Sequence, residues 1–167
     1  CGRTSTTVVN AYVQPIMDRY LGTFGQALAG RGFTGQLLIT QSNGGVMSLA
    51  TARDQAVRTV LSGPATGVVG ALKVSALSGF DNLITFDMGG TSTDVALIED
   101  GRPKLAGEME VHGYPLKTPM LDIHTVGAGG GSIAYIDAGG HLKVGPRSAG
   151  SVPGPACYGL GNPEPAV

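Results

Sequence analysis

Apolar and polar positions along the chain follow two periods. Over residues 5–29, Val8, Val9, Tyr12, Val13, Ile16, Met17, Tyr20, Leu21 and Phe24 recur at helical steps. This predicts one long amphipathic helix whose apolar stripe is core and which Gly30 or Gly32 ends. Leu37–Thr40 is a short buried strand running into the polar turn Gln41-Ser42-Asn43-Gly44-Gly45. Ala50–Ala56 predicts a short helix carrying Arg53 and Asp54, and Val57–Leu61 a strand or extended lead. A second helix follows to about Ser78, with Ser62 as N-cap, Pro64 in the first turn and Gly79 as its stop. Leu83–Phe86 and Val95–Ile98 have the length and β-branched content of buried strands. Beyond the turn Glu99–Arg102, Lys104–Val111 reads as a strand that His112–Leu116 breaks, with His112 a solvated loop residue. Leu121–Val126 reads as extended. Ile133–Ile136 and His141–Val144 form a hairpin around Asp137–Gly140, with His141 exposed near the turn. The tail Gly145–Gly159 has no packing period and is expected to be a long ordered loop. The fold class is α/β: a mixed sheet with flanking helices and β-hairpins.

Composition narrows the picture. The chain has 167 residues, enough for one domain with a real core. A net charge of −1 gives no electrostatic case for nucleic acid or an anionic membrane. No apolar run is long enough to span a bilayer. The 28 glycines and 10 prolines make many tight turns, while 42% hydrophobic content argues against disorder. The two cysteines, Cys1 and Cys157, form no metal or redox spacing, so a reduced, cytoplasmic setting is expected and Cys157 is read as a buried structural thiol. No signal peptide stands at the front. The absence of an initiating Met leads us to expect a piece of a longer protein.

The candidate chemistry centres on the turn between the two apolar runs. Gly89 and Gly90 permit a backbone that aims successive N–H groups into an anion hollow, with Thr91 and Thr93 adding hydroxyls. Asp87 and Asp94, at the strand mouths, suit a hydrated Mg²⁺. The plainer reading is a glycine turn capped by its own side chains. Two acids, two hydroxyls and two glycines between two buried strands favour the phosphate reading. In the preceding helix, Gly63, Gly67 and Ala71 leave one face bare for close approach. Asp122 and His124, two apart on an extended segment, share a face and form an acid/base pair, two metal ligands lacking a third at useful spacing, or a structural hydrogen bond. Gly127, Gly129, Gly130 and Gly131 carry a large entropy cost, tolerated where backbone approaches a ligand or another segment closely. A strand rather than a helix follows them, which excludes a dinucleotide-binding turn. Gln41–Gly45 has the choice of facing a ligand or being a simple Asn-Gly turn.

The order small-residue helix, strand, Asp-x-Gly-Gly-Thr turn, strand resembles the second half of the ribonuclease H-like, actin-like ATPase core shared by sugar kinases, actin and heat-shock ATPases. A closer resemblance is to the A-type, ATP-handling subunit of the hydantoinase/oxoprolinase family. It is carried by Arg3–Tyr12, Gln41–Gly45, Leu61–Ala71, Thr85–Val95, Asp122–Ser132 and Gly145–Gly159. The family's tyrosine and glutamate before Arg3 are replaced here by Cys1 and Gly2. The resemblance implies a single partial domain over residues 1–167. In it, residues 1–82 hold the helices and first strand, and residues 83–167 the phosphate hairpin and glycine loops. It implies an ATP-dependent opener of cyclic amides such as 5-oxoproline or hydantoins. Phosphoryl transfer to the lactam oxygen makes an activated imidate that water attacks.

On that view Gly89, Gly90, Thr91 and Thr93 hold phosphates, Asp87 and Asp94 organise Mg²⁺, and Gly127, Gly129, Gly130 and Gly131 line the cleft. Asp122 and His124 stand on its substrate side. Partners implied are the rest of the A-type subunit and a B-type subunit in an oligomer. The core's first phosphate motif and adenosine segment are not found in this stretch, so these residues alone are expected to be catalytically incompetent. The alternatives are an actin-like nucleotide sensor or assembly module, or a subunit of an ATP-dependent ketone carboxylase.

Overall fold

The computed structural model describes residues 2–111 and 113–167. The readings of Cys1 and His112 lie outside the described residues. In chain order the elements are α1 (Gly2–Gly30), β1 (Leu38–Thr40), β2 (Val46–Ser48), α2 (Leu49–Asp54), a 3-10 turn at Ala56–Thr59 and α3 (Ser62–Ser78). The strands β3 (Leu83–Met88), β4 (Thr93–Glu99), β5 (Arg102–Pro103), β6 (Leu105–Ala106), β7 (Met109–Val111) and β8 (Tyr114–Leu116) follow. The chain ends with β9 (Met120–Leu121), β10 (Ile123–Val126), β11 (Ser132–Ile136), β12 (Leu142–Ser148) and a 3-10 turn at Ala156–Tyr158. The architecture is mixed α/β with several small sheets. Two compact units share the chain: Cys1–Asn82 with Ile98–Asp122, and Leu83–Leu97 with Ile123–Val167.

In the first unit, α1 is the organising element, and the side it buries differs from the expected stripe. Leu21 joins Met47 and Ala52 in one small core, with Met17, Ile39 and Leu49 against it. Val57, Leu116 and Met120 form another, against which Val9 packs. Asn10 clamps the following turns by donating to the Asp54 carbonyl at 3.2 Å and accepting the Val57 N–H at 2.9 Å. Val8, Tyr12, Ile16 and Tyr20, by contrast, are 60–79% exposed. The reason is geometric: α2, the 3-10 turn and β8 all pack on the Asn10–Leu21 side, so the row at steps of four faces outward. Arg53 of α2 donates to Asp18 of α1 at 2.6 Å. That bond first, and the Asp18 charge second, hold the guanidinium above its ordinary pKa.

Three local expectations change. Val57–Leu61 is not a strand, because a 3-10 turn buries Ala56 and Val57 there. Ser62 does not cap α3; Leu61, held left-handed at φ 57°, occupies the cap position and Ser62 is already helical. Lys104–Val111 is split into β6 and β7, each with a different partner. Gly79 does end α3, at φ 77°. A Cβ at Gly63 or Gly70 would meet nothing within 4 Å, so packing among the described residues does not demand those glycines. The Gln41–Gly45 turn is a hairpin loop tied by its own groups: Gly44 N–H donates to Gln41 O at 3.0 Å and Gly45 N–H to Asn43 Oδ1 at 2.9 Å. Asp100 and Gly101, both at positive φ, turn the end of β4 into β5.

In the second unit, β4 lies between β3 and β10. The expected burial of Leu83–Phe86 is not met. Ile84 and Phe86 are 68% and 67% exposed, and Met88 extends that apolar face. On β4, Thr93, Ala96 and Ile98 are buried. β11 and β12 form the expected hairpin, closed by Asp137 Oδ1, which accepts from the N–H groups of Gly139 and His141 at 2.9 Å. The first residues of the expected loop, Gly145–Ser148, continue β12 instead. The rest of the tail is tied back: Arg147 donates to both Glu164 oxygens, and Val167 N–H reaches Ser132 O at 3.1 Å. Cys157 is exposed, not buried, because its 3-10 turn buries none of its residues.

Candidate functional site

The site is two glycine turns locked together inside the second unit. Gly89 N–H closes the first turn on Ser92 O at 2.9 Å. The second turn, residues 127–132, then hydrogen-bonds onto the first. Gly130 N–H donates to Gly89 O at 2.9 Å, Gly131 N–H to Gly90 O at 2.7 Å, and Thr93 Oγ1 to Ala128 O at 2.6 Å. Ser132 Oγ accepts the Gly129 N–H at 2.9 Å from beneath. The structure thus brings Gly89, Gly90, Thr91, Thr93, Gly127, Gly129, Gly130 and Gly131 into one region.

The glycines have different reasons for being there. A Cβ on Gly129 would stand 2.6–2.7 Å from Gly89 O, Ser92 N and Thr91 N, and one on Gly131 would stand 2.8 Å from Gly90 O. Real side chains do not fit against backbone at that range, so these two are required by the interlock itself. A Cβ on Gly130 would find only ordinary contacts near 4 Å. At Gly90 it would meet nothing within 4 Å, and neither Gly89 nor Gly90 has a left-handed φ. Among the described residues, therefore, nothing asks for glycine at position 90.

The anion hollow expected from successive N–H groups is narrower than the sequence suggested. The nitrogens of Thr91 and Ser92 border the space beside Gly129, which fills it with its own backbone. Thr93 is 4% exposed and its hydroxyl donates to Ala128 O, which ties it into the frame of the two turns. The open side of the turn consists of Gly89, Gly90 and the Thr91 side chain, all exposed.

The acids are placed as follows. Asp87 is exposed near the end of β3. Asp94 is half-buried, and its Oδ1 accepts from Thr125 Oγ1 at 2.6 Å. Thr125 was not singled out from the sequence; only the β10–β4 register, pairing Thr125 with Asp94, reveals it. His124 pairs with Val95, so it projects to the opposite side of the sheet from Asp94. Asp122 falls in the first unit, where its N–H donates to Lys104 O at 3.0 Å. Both Asp122 and His124 are exposed, while Leu121 and Ile123 are buried, so the alternation expected for this stretch is present. Among the described residues no group of three His, Cys, Asp or Glu side chains is gathered to hold a metal.

A profile of the hydantoinase/oxoprolinase family matches residues 3–167. The chain belongs to that family. It is 46% identical to the caprolactamase subunit alpha of Pseudomonas jessenii, over 99% of this chain and 24% of that protein. It is 39% identical to the acetophenone carboxylase gamma subunit of Aromatoleum aromaticum, over 99% of this chain and 22% of that one. The crystal structure of the ATP-dependent caprolactamase from Pseudomonas jessenii superposes with a TM-score of 0.83 at 46% identity, covering 99% of this chain and 24% of its own. The chain thus spans about a quarter of the length of these relatives.

Proposed function

We propose that this chain is the phosphate-binding part of an ATP-dependent cyclic-amide hydrolase, built on an actin-like ATPase core. The observation that carries the reading is Gly90: an exposed glycine on a hydrogen-bonded frame, with no steric or conformational reason for glycine among the described residues. A group arriving from outside and needing close backbone approach supplies that reason. Family membership and the likeness to an enzyme named as an ATP-dependent caprolactamase support ATP as that group and a lactam as its acceptor.

Bound ATP supplies a phosphoryl group that turns a lactam carbonyl, a poor electrophile, into one that water attacks. The residues of this chain bind and orient. Gly90 N–H and the Thr91 hydroxyl receive phosphate oxygens. The Gly127–Gly131 turn keeps that backbone from yielding as charge develops, which is the preorganisation that makes such donors effective. Asp87 and Asp94 are two carboxylates without a third among the described residues, a donor set that fits Mg²⁺ keeping most of its waters and not an ion caged by protein. Of the two substrate-side candidates, His124 belongs to the same unit as the glycine turns and Asp122 to the other. The setting we propose is cytoplasmic, consistent with the free, exposed Cys157 thiol. Among the described residues no helix is long and apolar enough to cross a membrane. The remainder of an A-type subunit and a B-type partner complete the enzyme. The similarity to an acetophenone carboxylase subunit favours a second reading, a ketone in place of the lactam.

The test is ADP release by the intact protein with its partner, with and without 5-oxoproline, caprolactam or a hydantoin, for wild type and Asp87→Ala. Lactam-dependent release that collapses in the variant supports the proposal. Turnover indifferent to every lactam but stimulated by a ketone moves the assignment to carboxylation. Full activity in the variant removes Asp87 from the site.

A further inference from the structure

Asp94 is held by one specific side chain. The Thr125 Oγ1–H donates to Asp94 Oδ1 at 2.6 Å, within the range of about 2.5–2.7 Å typical of hydroxyl-to-carboxylate bonds strengthened by charge. The two residues stand directly opposite one another in the antiparallel β4–β10 register. Two positions along the same register, the pair Ile123 and Ala96 is buried. Threonine is β-branched and stiff at χ1, so its hydroxyl arrives at the same place with little loss of side-chain freedom. One carboxylate oxygen is thereby occupied, which leaves Oδ2 as the oxygen with its full acceptor capacity.

We infer that Thr125 is a positioning residue for Asp94: it fixes the carboxylate so that Oδ2 is presented to the hydrated magnesium of the bound nucleotide. The inference rests on the reading of Asp94 given under Proposed function. A cross-strand Thr–Asp pair also stabilises a sheet, so the test must separate orientation from stability.

The experiment uses the intact protein with its partner and the variants Thr125→Val, Thr125→Ser, Asp94→Asn and the double Thr125→Val/Asp94→Asn. Two readouts are taken: kcat and KM for lactam-dependent ATP hydrolysis, and calorimetric affinity for ADP with and without Mg²⁺. Misplacing a catalytic group by about 1 Å costs up to about 100-fold in rate. Thr125→Val is therefore expected to lower kcat about tenfold with the lactam KM unchanged, and to erase most of the gain in ADP affinity that Mg²⁺ confers. Thr125→Ser, which keeps the hydroxyl, restores both. In the Asp94→Asn background Thr125→Val adds no further loss, because the two act as one unit. Additive losses, or a Thr125→Val protein with wild-type kcat and Mg²⁺ dependence beside a crippled Asp94→Asn, overturn the inference while leaving the site reading intact. An Asp94→Asn protein with wild-type values overturns both.

Discussion

The N–H of Gly131 donates to the carbonyl of Gly90 at 2.7 Å, joining two glycine turns that are far apart in sequence. With the bonds from Gly130 to Gly89 and from Thr93 to Ala128, it makes the two turns a single backbone frame. The glycine run is thus explained first by close packing of chain against chain. Ligand binding is then a property of what the frame leaves open.

Gly129 and Gly130 separate these roles. Gly129→Ala places a Cβ 2.6–2.7 Å from three backbone atoms of the facing turn. One of the two backbones must shift to admit it, and overpacking of that kind costs about 3 kcal/mol. Gly130→Ala meets only contacts of 3.8 Å or more and is expected to change stability by about 0.5 kcal/mol or less. Urea unfolding midpoints of the two variants are the measurement, and equal midpoints contradict the interlock.

The two threonines of the turn should divide in the same way. Thr93→Val keeps the shape but leaves the Ala128 carbonyl without its donor, at about 1–2 kcal/mol. Thr91→Val, on an exposed residue, should leave stability unchanged to within about 0.5 kcal/mol while weakening nucleotide binding. Thermal unfolding and nucleotide titration, run on both, check the assignment of one residue to the frame and the other to the ligand.

In the first unit, Leu21 and Ile16 lie on the same helix with opposite fates. Leu21, 2% exposed against Met47 and Ala52, should cost about 3 kcal/mol when cut to Ala. Ile16, 67% exposed, should cost about 0.5 kcal/mol or less. Comparable losses at both positions would mean that the outward row of α1 is covered in the protein measured.

Much of the local structure was legible because its causes are local. Helical periodicity gave α1, Gly79 gave the stop of α3, and the Asp137 turn gave the β11–β12 hairpin. Periodicity also marked the apolar row of α1, but which side of a helix is covered depends on what packs there. Here α2, the 3-10 turn and β8 cover the Asn10–Leu21 side. Leu61 as a left-handed cap was illegible because leucine rarely adopts that conformation. At the site, the cluster of glycines, hydroxyls and acids was legible. The division of labour within it was not, since the atoms that crowd Gly129 belong to residues 89–92 and the hydroxyl that holds Asp94 comes from β10.

If the open side of the Gly89–Thr91 turn receives phosphate, Gly90→Ala weakens nucleotide binding without disturbing the fold. A Cβ there meets nothing within 4 Å among the described residues and no left-handed φ, so the fold is expected to keep its thermal midpoint. The affinity for the magnesium complex of a non-hydrolysable ATP analogue, measured by calorimetry on the intact protein, should fall by about tenfold or more, equivalent to about 1.4 kcal/mol. An unchanged midpoint with unchanged affinity would contradict the account, because the space beside Gly90 would then be empty in the nucleotide-bound protein.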